Sequence, residues 1–423
     1  MIRASALYMV IVIALVIAVL CSSLIVVAYF YRSEYQRKFR YDQLENNLKS
    51  GINILLASTD SAYSEQATLS IFNGDADSVT LQKKEWGIYN IGVVKAFTQS
   101  DTLFRTFSLT YVIDSSKWCV LYLADQDRPL SLSGETSIIG NAFIPKAGVK
   151  KTYINNRAYQ GDERLIIGKI NNSEKKLPKL DETRVTLLQK YLSENNQNPS
   201  ADSSIEKTDT LQNSFLKPTR SIHLGKKVQT IKNIVLRGNI ILFSDTTLTI
   251  DHSATLDNIM VFARSIIVTG GFHGTCQLFA TDSIHVQSGC VFNYPSCLGV
   301  LNSNSAKISP YVRIVLEKNT SFNGAIFTYR QKEEEIMPVL AIDSNVTISG
   351  QIYSQGMLQF KYNLHVNGSV FTKLFTYQSS FNLMENTLID AKISSKALSP
   401  YYLSSVLFPV SKRKKVLQWL EQN

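Results

Sequence analysis

Cysteine and histidine are too sparse, and too unevenly spaced, to carry metal chemistry. Each occurs five times in 423 residues. No CxxC, HxH or HExxH spacing exists, so the chain holds neither a zinc-ribbon nor a zincin pattern, nor a dithiol redox pair. Cys119, Cys276, Cys290 and Cys297 permit disulfides by number, at nothing like the density of a disulfide scaffold. They read as small buried hydrophobes rather than as zinc ligands drawn from Cys276, Cys290 and a nearby histidine.

A glycosidase needs paired carboxylates, for which the sequence offers few candidates. Asp245, Asp251 and Asp257 recur six residues apart in DTTLTIDHSATLD, the spacing of turn positions where Asp satisfies local backbone groups. Glu333, Glu334 and Glu335 sit together in RQKEEEI and read as a solvated loop. Basic residues exceed acidic ones by ten, yet no basic stripe is interleaved with aromatics, so nucleic acid is not an expected partner. The one dense basic run is Lys412-Arg413-Lys414-Lys415, read as a solvated tail or as a short amphipathic segment touching anionic lipid. No catalytic residue, cofactor or metal ligand is assigned.

Charge is absent altogether from Ala4 to Tyr31. As a helix that run is about 42 Å long at 1.5 Å per residue, more than the ~30 Å hydrocarbon core of a bilayer. It predicts a transmembrane helix with membrane lipid as its partner. A cleavable signal has an apolar core of roughly 7–15 residues, about half of what is present. Cys21 lies within the run and reads as an ordinary intramembrane residue.

Tyr41, Leu44, Leu48, Ile52 and Leu55 continue at helical spacing, so Arg32 to Ala57 is expected to prolong the same helix with one apolar stripe. From Ala67 the pattern alternates. TLSIFNGDADSVTLQ, EWGIYNIGVVKAF, TLFRTFSLTYVI and KWCVLYLA predict four antiparallel strands, with turns at Asn73-Gly74 and around Gln99-Ser100-Asp101. Residues 32–125 are thus expected to lay a long helix on a small sheet. That order resembles the type IV pilins and pseudopilins, with Arg3-Ala4-Ser5 in the place of a leader. The resemblance implies N-terminal processing and a place in a secretion or surface filament.

Beyond Asp125 a glycine-centred unit recurs, as in Ile138-Ile139-Gly140-Asn141-Ala142-Phe143, Ile166-Ile167-Gly168-Lys169-Ile170 and Leu236-Arg237-Gly238-Asn239-Ile240. It is clearest in Phe322-Asn323-Gly324-Ala325-Ile326-Phe327, Ile348-Ser349-Gly350-Gln351-Ile352-Tyr353 and Val366-Asn367-Gly368-Ser369-Val370-Phe371. These three follow an upstream asparagine, at Asn319, Asn345 and Asn363. Stacked coils with shared apolar interiors account for the repeat, glycine serving where a Cβ would collide. The prediction is a mainly β chain whose residues 126–384 form a β-solenoid, with Gly140, Gly168, Gly238, Gly324, Gly350 and Gly368 as structural turn residues.

The span 175–217 interrupts it with a short helix, Asp181 to Leu192, and a polar loop, Ser193 to Asn213. Residues 385–423 are expected to form a C-terminal cap and basic tail. From Ser131 to Phe375 the repeat resembles the bactofilins, polymer-forming β-helical proteins, and right-handed β-helices more generally. This resemblance implies self-association or a protein partner through the solenoid.

The sequence therefore describes a single-pass, membrane-anchored structural or interaction protein without catalysis, its bulk leaning to the extracytoplasmic side. Two other classes stay open: a pilin-like filament subunit, and a carbohydrate-binding or carbohydrate-cleaving β-helix.

Overall fold

The structure, a computed structural model, describes residues 2–71, 78–98, 101–113, 118–194, 209–302, 312–331, 336–361, 363–379, 383–408 and 413–422. The chain divides into two compact units. One comprises Met1–Lys83, Gly92–Thr106 and Gln422–Asn423; the other comprises Lys84–Ile91 and Phe107–Glu421.

In the first unit a single helix, α1 (Ile2–Ala57), takes up the uncharged run and its polar continuation without a break. It is long and apolar enough to cross a membrane. Residues 6–39 are exposed all round. Burial begins with Leu44, Leu48, Ile52 and Leu55, which the 3.6-residue period places on one face. Gly51 sets how closely that face approaches the sheet. A Cβ there would lie 2.7 Å from Val94 and 2.8 Å from Val79.

The strands β1 (Ala67–Ser70), β2 (Ser78–Trp86), β3 (Tyr89–Thr98) and β4 (Asp101–Val112) lie side by side in chain order. β1 and β2 are antiparallel, with Ala67 opposite Leu81. The segment TLSIFNGDADSVTLQ is therefore two strands. The Asn73-Gly74 turn, Gln99 and Ser100 lie outside the described residues.

KWCVLYLA departs from expectation. β5 (Cys119–Leu123) is buried at every position and pairs in parallel in the second unit. The physical reason is legible afterwards: an unbroken apolar run has no polar face to offer water, which suits a parallel strand covered on both sides.

Five short strands and one dyad follow β5: β6 (Leu130–Ser133), β7 (Ser137–Ile139), β8 (Asn141–Ile144), β9 (Val149–Lys151), β10 (Ile166–Ile167) and β11 (Ile170–Asn172). Then comes α2 (Glu182–Glu194). Its N-cap is Asp181, whose carboxylate accepts the Arg184 backbone N–H at 2.8 Å. Val185 and Leu188 are buried beneath it.

Residues 195–208 of the expected polar loop lie outside the described residues, and its end is not loop. Thr210–Asn213 form β12, followed by β13 (Arg220–His223), β14 (Gln229–Ile231) and β15 (Val235–Gly238). Longer strands follow: β16 (Ile240–Ile250), β17 (Thr255–Val268), β18 (His273–Val286) and β19 (Val291–Asn302). After them come β20 (Arg313–Leu316), β21 (Ser321–Arg330), β22 (Val339–Ile342), β23 (Thr347–Phe360) and β24 (His365–Gln378).

These strands pair in parallel, each on a strand one to three before it, from β12 through to β24. Between local register shifts, the apolar positions stay aligned from layer to layer. Leu242, Val261, Leu278, Leu298, Ile326, Ile352 and Val370 are successive Cα partners and all fully buried. One apolar column thus threads the unit, because side chains two apart point the same way and equivalent positions stack.

Past β24 the stack continues with strands from earlier in the chain. Val370 pairs Leu121 of β5, Leu121 pairs Ala142 of β8, and Ala142 pairs Ile170 of β11. The expected cap over 385–423 is replaced by this arrangement. β25 (Leu383–Glu385) folds back antiparallel on β24, β26 (Thr387–Ile389) pairs β6, and β27 (Lys392–Ser394) lies between β24 and β7.

The last two strands return to β4: β28 (Leu403–Ser404) pairs Tyr111 and Val112, and β29 (Lys414–Gln422) lies alongside. Lys414 and Lys415 are thus in a strand, not a solvated tail. The Lys414 ammonium stands 5.5 Å from the Tyr111 ring centroid. Lys412 is outside the described residues.

Candidate binding cleft

Each of the six glycines singled out in the sequence occupies a crowded point of the second unit. Gly324, Gly350 and Gly368 are consecutive register partners. At Gly350 and Gly368 φ is +145° and +149°, and a Cβ on either would be driven into the carbonyl oxygen of the glycine one layer back. Gly168 similarly faces the Gly140 carbonyl, Gly238 faces that of Asn213, and Gly140 packs on Val120 and Ser395. Asn319 and Asn345 adopt left-handed φ of 59° and 55°, and the Asn345 amide donates to the Asn319 side-chain oxygen at 3.2 Å. These residues shape the backbone; none of them presents reactive chemistry.

The aspartates do not converge. Asp251 accepts the Ser253 N–H at 3.0 Å and its hydroxyl at 2.6 Å, an Asx turn after β16. Asp257 accepts from the Asn258 amide at 3.1 Å within β17. Asp245 lies at a register shift of β16. Glu333, Glu334 and Glu335 fall outside the described residues. Cys276 and Cys297 are wholly buried, which pushes both thiols up, and burial pushes Cys119 up to about 12. No group of three metal-ligating side chains occurs among the described residues.

What the structure does assemble is a basic cleft of about 320 Å³. The stretch 174–181, between β11 and α2, runs over the outer faces of β21, β23 and β24. From this stretch come Lys175, Lys176 and Lys179; from β24 comes Lys373. Tyr329 and Gln331 are supplied by β21 and its end, and Tyr353 and Gln355 by β23. Glu182, at the start of α2, is the acidic group among the described lining residues and lies 3.0 Å from the Lys179 ammonium.

The floor is rigid. Tyr353 is buried and belongs to an outward aromatic column in which Phe327, Tyr353 and Phe371 are register partners. Tyr122 continues it, stacked 5.8 Å from Phe371 and 5.4 Å from Phe143. The Tyr122 hydroxyl donates to the Lys176 carbonyl at 3.2 Å and accepts the Glu174 N–H at 3.0 Å, which fastens the overlying segment to the column. Burial raises the Tyr353 and Tyr329 phenols, with Glu182 adding to the rise at Tyr329.

α2 is held over the unit by a buried cation. The Arg184 guanidinium donates to the carbonyls of Gly87 and Tyr89, at 3.1 and 3.3 Å, and to the Asn90 side chain at 2.7 Å. Tyr191 packs its ring 5.2 Å from that of Phe262. The sequence reading missed this cleft. Its signal was the run Lys175-Lys176-Leu177-Pro178-Lys179, but the other half of the lining comes from three strands some 150 to 200 residues away in the chain.

No family model matches the chain, and the searches of curated proteins and of solved structures found no match to it.

Proposed function

We propose that the protein is a single-pass, membrane-anchored structural or interaction protein, whose parallel strands form a β-solenoid that it holds at the bilayer and presents to partners. In this reading it makes and breaks no bond. The observation that carries the anchor is α1: residues 4–31 are uncharged, and 6–39 are exposed on every side, at a cost in water that burial in lipid removes. Support for the solenoid comes from the in-register parallel layers and from the glycines that face one another across them. The bulk is taken to lie outside the cytoplasm, the N-terminal run acting as an uncleaved export signal.

Alkaline carbonate extraction tests the anchor. The full chain is expected in the membrane pellet and a chain lacking 2–31 in the supernatant; release of the full chain would sink the reading. Protease added to intact and to permeabilised cells tests the side. Digestion in cells whose inner membrane is whole places the bulk outside, whereas protection until it is broken reverses the assignment.

One feature favours a pilin-like subunit as the second reading: the lower half of α1 buries Leu44, Leu48, Ile52 and Leu55 in its own unit while the upper half protrudes. N-terminal sequencing of the mature protein separates the two. Trimming near Ala4 supports the filament subunit, and an intact start supports the permanent anchor.

A further inference from the structure

We propose that an aromatic stripe on α1, continuing past the uncharged run, lies in the headgroup layer of the bilayer and holds the helix tilted. This rests on the membrane-anchor reading and adds to it an interaction surface, whose partner is the lipid–water interface.

Exposure is the first argument. Tyr31, Tyr35 and Phe39 follow one another at intervals of four residues and are 76%, 72% and 62% exposed. At 100° per residue the three fall within about 80° of one another around the helix. Large aromatic side chains at helical spacing make a face that is covered in the working protein. The sheet of the first unit does not cover it. Leu44, Leu48, Ile52 and Leu55 are buried on the side of α1 where Gly51 meets Val79 and Val94. By the same geometry that side lies about 150° around the helix from the aromatic stripe.

Composition points to the occupant. Tyrosine joins an apolar ring to a polar hydroxyl, and such side chains gather at membrane–water interfaces. A seam with a second copy would call for aliphatic residues kept at a 3.5-residue repeat over several heptads. This stripe is three aromatics long, follows directly on the uncharged run, and ends at Asp42 on the same line. Arg32 and Lys38 flank it, both exposed, with apolar stems that lie along lipid while the charge reaches the headgroups. Glu34 stands at its margin, where its carboxylate stays in water.

Length supplies the tilt. An upright helix with residues 4–31 centred on the ~30 Å hydrocarbon core would carry Phe39 about 17 Å beyond that core, past a headgroup layer ~5–8 Å thick. A tilt of roughly 40°, the upper end of the usual range, brings the stripe down into that layer when the helix leans towards it. Stripe and sheet face nearly opposite ways. Leaning towards the stripe therefore lifts the sheet away from lipid, and the aromatic seat does not compete with the folded part of the unit.

The test uses the full chain in nanodiscs, with one tryptophan added at a time as V16W, S33W, Y35W or F39W. The emission of the added residue is taken as the difference from the parent chain, which has three tryptophans of its own. Discs are made of phosphatidylcholine brominated either near the headgroup or near the chain end. Y35W and F39W should each lose at least a third of their emission to bromine near the headgroup. S33W, nearer the run but on the far side of the helix, should lose less than Y35W. V16W should be quenched most by bromine near the chain end. Y31S combined with F39S in the Y35W chain should at least halve the quenching at position 35 with an unchanged melting temperature.

Quenching of V16W without quenching of Y35W and F39W would leave the anchor standing and overturn the seat. Blue-shifted but unquenched emission at 35 and 39 would mean that a second copy covers the stripe, and a greater loss at S33W than at Y35W would mean an upright helix; either overturns the proposal. So would quenching at 35 that is unaffected by Y31S and F39S. Absence of quenching at V16W would remove the anchor and the seat together.

Discussion

At the scale of single residues, backbone geometry rather than side-chain chemistry explains the most prominent sequence pattern. Gly350 stands at φ +145° with the Gly324 carbonyl where its Cβ would be. Gly350→Ala therefore combines an unfavourable φ with a steric conflict that no side-chain rotation relieves, and it should cost about 3 kcal/mol or more. Gly225→Ala is the comparison. That glycine has φ +76° and open space around its Cβ position, so the expected cost is only ~1 kcal/mol, from the backbone alone. Urea denaturation midpoints of the two variants check the difference.

Buried titratable groups give a second residue-scale prediction. Burial raises the Cys119 thiol from 9.0 to about 12 and also raises those of Cys276 and Cys297. Below pH 9 these groups are protonated in both folded and unfolded chains, and their contribution to stability is fully present. Above pH 9 the unfolded chain releases protons that the folded chain keeps, so stability falls with rising pH. Buried Tyr89 and Tyr402, raised in the same direction, add to the fall above pH 10. Equilibrium denaturation from pH 7 to 11 should show a flat region ending near pH 9. A midpoint that rises between pH 9 and 11 would contradict the burial of these groups. The glycines were legible in sequence because a repeated residue type marks a repeated backbone need. The titration behaviour was not, because it depends on what surrounds each thiol.

Elements were legible where a period reached over several turns. α1 and α2 follow from apolar spacing, and Asp181 marks the start of α2 as a cap should. β5 was misassigned because Trp118-Cys119-Val120-Leu121-Tyr122-Leu123 follows a series of sheet strands, and adjacency in sequence argued for adjacency in space. Its composition argued the other way, since Val120, Leu121 and Leu123 are all fully buried. Arg184 could not be found from sequence at all. A charged residue on a short helix normally faces water, whereas this one is 97% enclosed and satisfies two carbonyls and an amide of the 87–90 turn. Arg184→Ala removes a donor from each of those neutral acceptors, a loss on the order of 1–3 kcal/mol. Thermal melts of R184A and R184K should both fall, with lysine recovering only part, because an ammonium cannot reproduce the planar fork. An unchanged melt for R184A would mean that α2 is held by its apolar face alone.

At the scale of the second unit, the order of layers differs from the order of the chain. Residues 119–172 lay down β5 to β11 next to β24, which the chain reaches some two hundred residues later, while β12 begins at the opposite end of the stack. The interruption seen in sequence at 175–217 is the passage between the two ends, with α2 lying on β17 and β18 along the way. A repeat read from sequence carries its period but not where an early copy will stack, since every copy offers the same apolar interior. The consequence is that β24 has no finished edge until β5 and β27 pair with it, and an unpaired parallel edge invites association with other chains.

Dividing the chain between residues 200 and 201 tests this directly. Fragment 1–200 holds α1, β1 to β11 and α2; fragment 201–423 holds β12 to β29. Co-expressed, the two should purify together, because the pairings of Leu121 with Val370 and of Ile138 with Ile393 join them along whole strands. Expressed alone, fragment 201–423 should aggregate through the open edge of β24. Leu121→Asp in the first fragment should abolish recovery of the complex, since it places a charge in the apolar column at the junction. If 201–423 is soluble and monomeric alone, β24 does not depend on the early strands to close it.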